Sequence, residues 1–134
     1  MTNELPRPTD AELEILTVLW SIGPATVRDV YEVIRRRPRA QYSTILKFMQ
    51  IMTEQGLVRR DESERAHVYE PAKSREWTQR QLAGDLLQRA FNGSAKALLV
   101  GALSARKASK EELAELRKIF NEFYKEKGGK DEAS

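Results

Sequence analysis

Residues 39–58 read RAQYSTILKFMQIMTEQGLV. Ile45, Phe48, Met49 and Met52 fall at i, i+3, i+4 and i+7, the spacing that lays one apolar stripe along a helix. The pattern predicts a helix that begins near Tyr42 and Ser43 and stops at Gly56, a residue suited to a left-handed cap. With those four side chains turned inward, Ser43, Leu46, Lys47 and Gln50 project from the other side, near the helix start and centre. The question is what such a mixed outer face is pressed against.

Working outward, two helices are expected upstream. Thr9-Asp10-Ala11-Glu12 has the form of a capping box, in which the threonine oxygen accepts from a free amide and the glutamate reaches back. Ile15, Leu16, Leu19 and Trp20 then repeat at helical spacing until Gly23-Pro24. Thr26, three residues before Asp29, repeats the signal, and Val27, Val30, Tyr31 and Ile34 carry a second apolar stripe to about Arg36. Pro38 forbids continuation, inside a cluster formed by Arg35, Arg36, Arg37 and Arg39 whose simplest reading is a solvated face.

Downstream, LVRRDESERAHVYEP predicts two short strands, 57–61 and 66–70, joined by a polar loop that holds Glu62, Ser63, Glu64 and Arg65, with Pro71 closing the hairpin. From Ser74 the pattern is helical through Trp77, Leu82, Leu86, Leu87 and Phe91, breaks at Asn92-Gly93-Ser94, and resumes in AKALLVGAL. Ser109 with Glu112 suggests another capping box, opening a last helix on which Leu113, Leu116, Ile119, Phe120, Phe123 and Tyr124 form a broad apolar face. GGKDEAS reads as a frayed tail.

Three short helices followed by a two-stranded hairpin have the element order of a winged helix-turn-helix module. The expected fold is therefore mainly α with a small β-hairpin wing. Residues 1–73 would form the winged helix domain, 74–127 a helical dimerisation domain and 128–134 a disordered tail. In such a module the third helix enters the DNA major groove while phosphate contacts fix its position. Lys47 can donate to guanine O6 and N7, Gln50 can pair with adenine, and Leu46 can touch a thymine methyl group. Ser43 joins these three as a base-reading residue. Tyr42 and Thr44 at the helix start, Arg39 before it, and Arg59, Arg60 and Arg65 on the hairpin are the candidate DNA-backbone contacts.

Composition narrows the alternatives. The 134-residue chain has 23 basic and 20 acidic residues, a net charge of +3 that tilts modestly towards anionic partners. It has no cysteine, which excludes disulfides, thiolate metal sites and thiol nucleophiles. Its one histidine, His67, lies in the second hairpin strand with no Ser/His/Asp grouping or metal-ligand spacing around it. We therefore expect no catalytic residues, no metal and no cofactor. The N-terminal MTNELPRPTD lacks a basic and an apolar region, and no run approaches 18 apolar residues, so a soluble cytoplasmic protein without direct membrane binding is expected. The competing reading is a winged helix that binds protein, which would present a contiguous apolar patch on the third helix without surrounding phosphate donors.

The runs TDAELEILTVLW, TVRDVYEVI, YSTILKFMQIMTEQGLV and RAHVYEPA, with FNGSAKALLVGAL and SKEELAELRKIF behind them, together resemble the penicillinase-repressor family of BlaI and MecI type. The likeness spans about residues 9–124. It implies a homodimeric transcriptional repressor on a palindromic double-stranded DNA operator, with Phe91, Leu113, Leu116, Ile119, Phe120 and Phe123 in the dimerisation region. It also brings a membrane-bound sensor protease as partner, acting at an Asn-Phe bond. Two departures stand out: Ile51-Met52 replaces an arginine followed by leucine late in the third helix, and Gly101-Ala102 stands where the Asn-Phe bond is expected.

Overall fold

The structure, a computed structural model, describes residues 7–38 and 40–133, the last six of these (128–133) as backbone alone. Its elements follow in the order α1 (Asp10–Ile22), α2 (Val27–Ile34), α3 (Tyr42–Gln55), β1 (Val58–Asp61), β2 (Val68–Pro71), α4 (Arg75–Phe91), α5 (Ala95–Ala105) and α6 (Lys110–Ala133). The last helix runs into the segment 128–134 that was expected to be a tail. The chain divides into two compact units between Asp85 and Leu86, within α4.

Local chemistry sets the ends of the first three helices. Thr9 and Glu12 form the expected box, with the Glu12 amide donating to Thr9 Oγ1 at 3.2 Å and the Thr9 amide donating to Glu12 Oε1 at 3.0 Å. Glu12 is thereby satisfied although it is buried. Thr26 and Asp29 repeat the arrangement on α2. Gly56 closes α3 in the left-handed region at φ 83°, where a Cβ would be strained.

In the first unit α1 packs on α2, α3 and β2, and α3 packs on β1. The apolar stripes meet in one core: Ile15, Leu16 and Leu19 from α1, Val30 and Ile34 from α2, and Ile45, Met49 and Met52 from α3, with Leu57, Val58 and Tyr69 from the hairpin. Val30, Met49 and Met52 have no exposed surface. Burying side chains of this size contributes roughly 1.5–3 kcal/mol each.

The wing departs from its expected strand bounds. Antiparallel pairing joins Val58 to Pro71, Arg59 to Glu70, Arg60 to Tyr69 and Asp61 to Val68. Ala66 and His67 are therefore loop residues, and Pro71 is the last residue of β2 instead of the one that follows it. Proline is tolerated there because a strand end does not require its missing N–H. The far side of β2 is also occupied: Tyr69 and Ala25 exchange backbone hydrogen bonds of 2.8 and 3.0 Å. This bridge ties the α1–α2 connection to the wing and holds Tyr69 in the core.

The second unit contains the end of α4, α5 and α6. Asn92 at φ 49° and Gly93 at φ 82° turn the chain between α4 and α5, with the Gly93 amide donating to the Leu87 carbonyl at 2.9 Å. Phe91 is half-buried here, its ring 3.5 Å from where a Cβ on Gly101 would stand. Ser109 Oγ accepts from the Glu112 amide at 3.0 Å. The Glu112 carboxylate, expected to complete a capping box, instead lies 3.2 Å from Arg106. No described side chain from Leu86 onward is buried.

Candidate nucleic-acid interface

The outer face of α3 follows from its inner one. Because Ile45, Met49 and Met52 are buried, the helical repeat turns Ser43, Lys47 and Gln50 outward, and all three are exposed. Thr44 and Tyr42 are exposed as well. Leu46 is placed differently from the other candidate base readers: it is half-buried and packs against the core. It lies beside Ile45 and one turn before Gln50, at the margin of the buried stripe. Phe48 is likewise half-buried at the opposite margin. Glu54, one turn beyond Gln50, puts a carboxylate on the outer side, so anion-attracting chemistry is confined to the first turns of the helix.

The start of α3 has a further property. Gln41 makes no side-chain capping hydrogen bond, whereas α1, α2 and α5 are capped by Thr9, Thr26 and Ser94. Ser74 and Ser109 likewise accept from first-turn amides of α4 and α6. Among the described helices α3 alone lacks a side-chain acceptor for its leading amides. Those N–H groups, with the hydroxyls of Tyr42, Ser43 and Thr44 beside them, form a donor-rich end suited to an anion.

The basic residues fall into two groups. Arg59 Nη2 lies 3.3 Å from Glu70, its cross-strand partner, and Arg60 lies 2.7 Å from Glu62. Hydrogen bonding to Tyr69 first, and to Glu62, holds the Arg60 guanidinium above its ordinary pKa. Arg35 pairs with Glu32 at 3.2 Å and Arg37 with Glu14 at 2.7 Å. These cations are already partly neutralised by acids of the same chain. Arg65, Arg36 and Lys47 are exposed and have no ion-pair partner among the described residues. Arg39 lies outside the described residues.

One arrangement was not anticipated from the sequence. Arg28, in the first turn of α2, holds its guanidinium carbon 5.4 Å from the centroid of the Tyr42 ring. Tyr31 meets that ring edge-on, at 5.7 Å and 72°. The available signal was a cation in the first turn of a helix, where the macrodipole disfavours it.

On α6, the apolar face noted in the sequence stands open. Leu113, Ile119 and Phe120 are close to half exposed and Phe123 is 63% exposed, with Tyr124 beyond them. Leu116, on the same helix, is half-buried. Among the described residues, no helix is long and apolar enough to cross a membrane, and no His, Cys, Asp or Glu side chains assemble in a group of three or more that could hold a metal.

The penicillinase repressor family model matches residues 8–122. Over 99 residues the chain is 34% identical to the transcriptional regulator BlaI of Mycobacterium tuberculosis, with 72% of each chain covered. Over 119 residues it is 24% identical to the penicillinase repressor of Bacillus licheniformis, covering 89% of this chain and 93% of that one. The solution structure of the DNA binding domain of the repressor BlaI covers 55% of this chain and 90% of that one, with 22% identity and a TM-score of 0.48.

Proposed function

Because the chain belongs to the penicillinase repressor family, we propose that it is a transcriptional repressor that holds a partly palindromic site in double-stranded DNA as a homodimer. Residues 1–73 would bind the DNA and 74–127 would join the two copies. The observation that carries this reading is the outward set of Ser43, Lys47 and Gln50 on α3, opposite the buried Ile45, Met49 and Met52.

Each part of that surface has a distinct task. Lys47 donates to guanine and Gln50 pairs with adenine in the major groove, with Ser43 beside them; Leu46 offers a thymine methyl group only its exposed edge. The uncapped amides of α3, with Tyr42 and Thr44, take a backbone phosphate. Arg65 extends this contact from the wing loop without giving up an ion pair, whereas Arg59 and Arg60 must first exchange Glu70 and Glu62 for phosphate. Arg39 belongs to the same backbone set by sequence.

Dimerisation is supported by the open apolar face of α6. A two-fold pair would bury Leu113, Leu116, Ile119, Phe120 and Phe123 and present two α3 helices about 34 Å apart to successive major grooves. Phe91 would act from the α4–α5 corner, where it already packs near Gly101. Repression is then steric, the bound dimer covering a promoter in the cytoplasm. Gly101 and Ala102 lie inside α5, where a sensor protease would find no Asn-Phe bond, so we propose that repression is relieved by another route.

Selection of bound sequences from a random duplex library, followed by affinity measurements at two salt concentrations, tests the reading. The expected result is one enriched inverted repeat. Lys47→Ala should then weaken the enriched site by about 1–3 kcal/mol while leaving random duplex nearly unchanged, whereas Arg65→Ala should weaken both. Absence of enrichment, with only weak salt-sensitive binding, would favour a protein-interaction module.

A further inference from the structure

We propose that Arg28 is an additional DNA-backbone contact, held in position by the Tyr42 ring at the start of α3; the proposal rests on the DNA-binding reading above. Arg28 contributes little to the fold. Its side chain is 67% exposed, and its Nη1 is 3.6 Å from Glu32 Oε2, longer than a hydrogen bond. Its charge also stands at the positive end of the α2 dipole, where a cation is disfavoured. What localises it is the aromatic face: the guanidinium carbon lies 5.4 Å from the Tyr42 centroid, and Tyr31 braces that ring from its edge.

A guanidinium held over an aromatic ring keeps the N–H groups that point away from the ring free to donate, in the fork geometry that suits a phosphate. The ring that holds it belongs to the residue immediately before Ser43. Arg28 therefore stands beside the donor-rich start of α3, where a phosphate bordering the groove would lie when Ser43 and Lys47 face base edges. Lysine would supply the same charge without the fork of donors. The task assigned to Arg28 is positional: it adds affinity and fixes the approach of α3, and it reads no base.

The test uses the full chain with two duplexes of equal length, one carrying the selected inverted repeat and one of random sequence, across a salt series. Arg28→Ala is expected to weaken both by a similar factor, about tenfold at low salt, and to reduce the slope of log K against log salt by roughly 0.9 per copy bound. The selected consensus and the thermal midpoint should not change. Tyr42→Phe, which keeps the ring and loses only its own phosphate-facing hydroxyl, should weaken binding less than Tyr42→Leu, and that difference should vanish when Arg28 is already alanine. Glu32→Gln, which removes the carboxylate shared by Arg28 and Arg35, should tighten both duplexes about twofold or more at low salt, and clearly less when Arg28 is already alanine and only Arg35 is released. An unchanged salt slope in Arg28→Ala, a changed consensus, or no gain in Glu32→Gln would overturn the proposal. A native chain that binds neither duplex would overturn the repressor reading itself and this contact with it, whereas native binding with a full slope in Arg28→Ala overturns the contact alone.

Discussion

The two halves of this chain use the same helical periodicity and reach opposite ends. In residues 7–85, stripes from three helices and a hairpin converge until Val30, Met49 and Met52 are wholly enclosed. In residues 86–133, helices that also carry apolar stripes leave Leu113, Ile119, Phe120 and Phe123 about half exposed or more, with no described side chain buried. Three helices braced by a strand pair can surround a core. Two helices and the end of a third leave a face uncovered, and removing that face from water requires another surface. The first half therefore has the material for folding alone, and the second has half of a core. This contrast provides the physical argument for the proposed dimer.

The largest effect should come from charging the uncovered face. Phe120→Asp places a carboxylate in the proposed seam, and sedimentation should give monomers, with association weakened on the order of a hundredfold or more. Operator binding should fall with it, while amide exchange at Val30, Met49 and Met52 stays slow because their core is closed within the first unit. Leu116→Asp should behave alike. A variant that remained dimeric would move the seam away from α6 and remove the basis of the contrast.

The next effect lies in the first unit and has a different signature. Met49→Ala opens a cavity in a closed core and should cost about 2–5 kcal/mol in thermal or denaturant unfolding, independent of protein concentration. Phe123→Ala, by contrast, should lower stability only through dimer dissociation, so that its deficit shrinks as protein concentration rises. A concentration-dependent Met49→Ala deficit would mean that the first unit also relies on its partner.

The same contrast shows which features were legible in the sequence. The boxes at Thr9 and Thr26 and the stop at Gly56 depend on residues three or four apart, so local spacing suffices to read them. The uncovered face of α6 was legible for the same reason: its width exceeds what a small neighbour can hide. What escaped depended on distant partners. The Ala25–Tyr69 bridge joins residues far apart in the chain, and Pro71, expected outside the strand, pairs with Val58. Leu46, expected on the outer face, follows Ile45 by one position and precedes Met49 by three, which sets it at the margin of the stripe and half into the core. Glu112 completes no box because Arg106, in the preceding turn, competes for its carboxylate. The placement of Arg28 over the Tyr42 ring depends on how α2 meets α3, which no local pattern encodes.

A smaller effect is expected at the wing, where acids of the same chain hold two candidate DNA contacts. Glu70→Gln removes the partner of Arg59. Both groups of this pair are well exposed, so unfolding free energy should change by less than about 0.5 kcal/mol. DNA affinity should rise about two- to fivefold at low salt, and the gain should fade as salt screens the freed charge. Glu62→Gln should give less, because the Arg60 side chain is only 29% exposed against 65% for Arg59. Unchanged affinity in both variants would place the wing away from the DNA and leave α3 as the principal contact.

The smallest effect concerns Asp61, at the start of the wing loop. The Ser63 amide donates to Asp61 Oδ1 at 2.9 Å, and this bond, followed by one from the Ser63 side chain, holds the carboxyl below its ordinary pKa. A carboxyl depressed in the folded state contributes stability above its unfolded value, near 3.9, and loses it as pH falls through the folded value. Asp61 is exposed, so the consequence should be local. A carboxyl titration followed by NMR should give a midpoint below about 3.9, and Ser63 amide exchange should accelerate as the group protonates. Asp61→Asn keeps an oxygen to accept from Ser63 but has no charge to titrate, so the acid-induced loosening should disappear while the amide exchange of Met49 is unaffected. A midpoint at or above the ordinary value would mean that the Ser63 bond does not persist in solution, and the wing loop would then be ordered by the β1–β2 pairing alone.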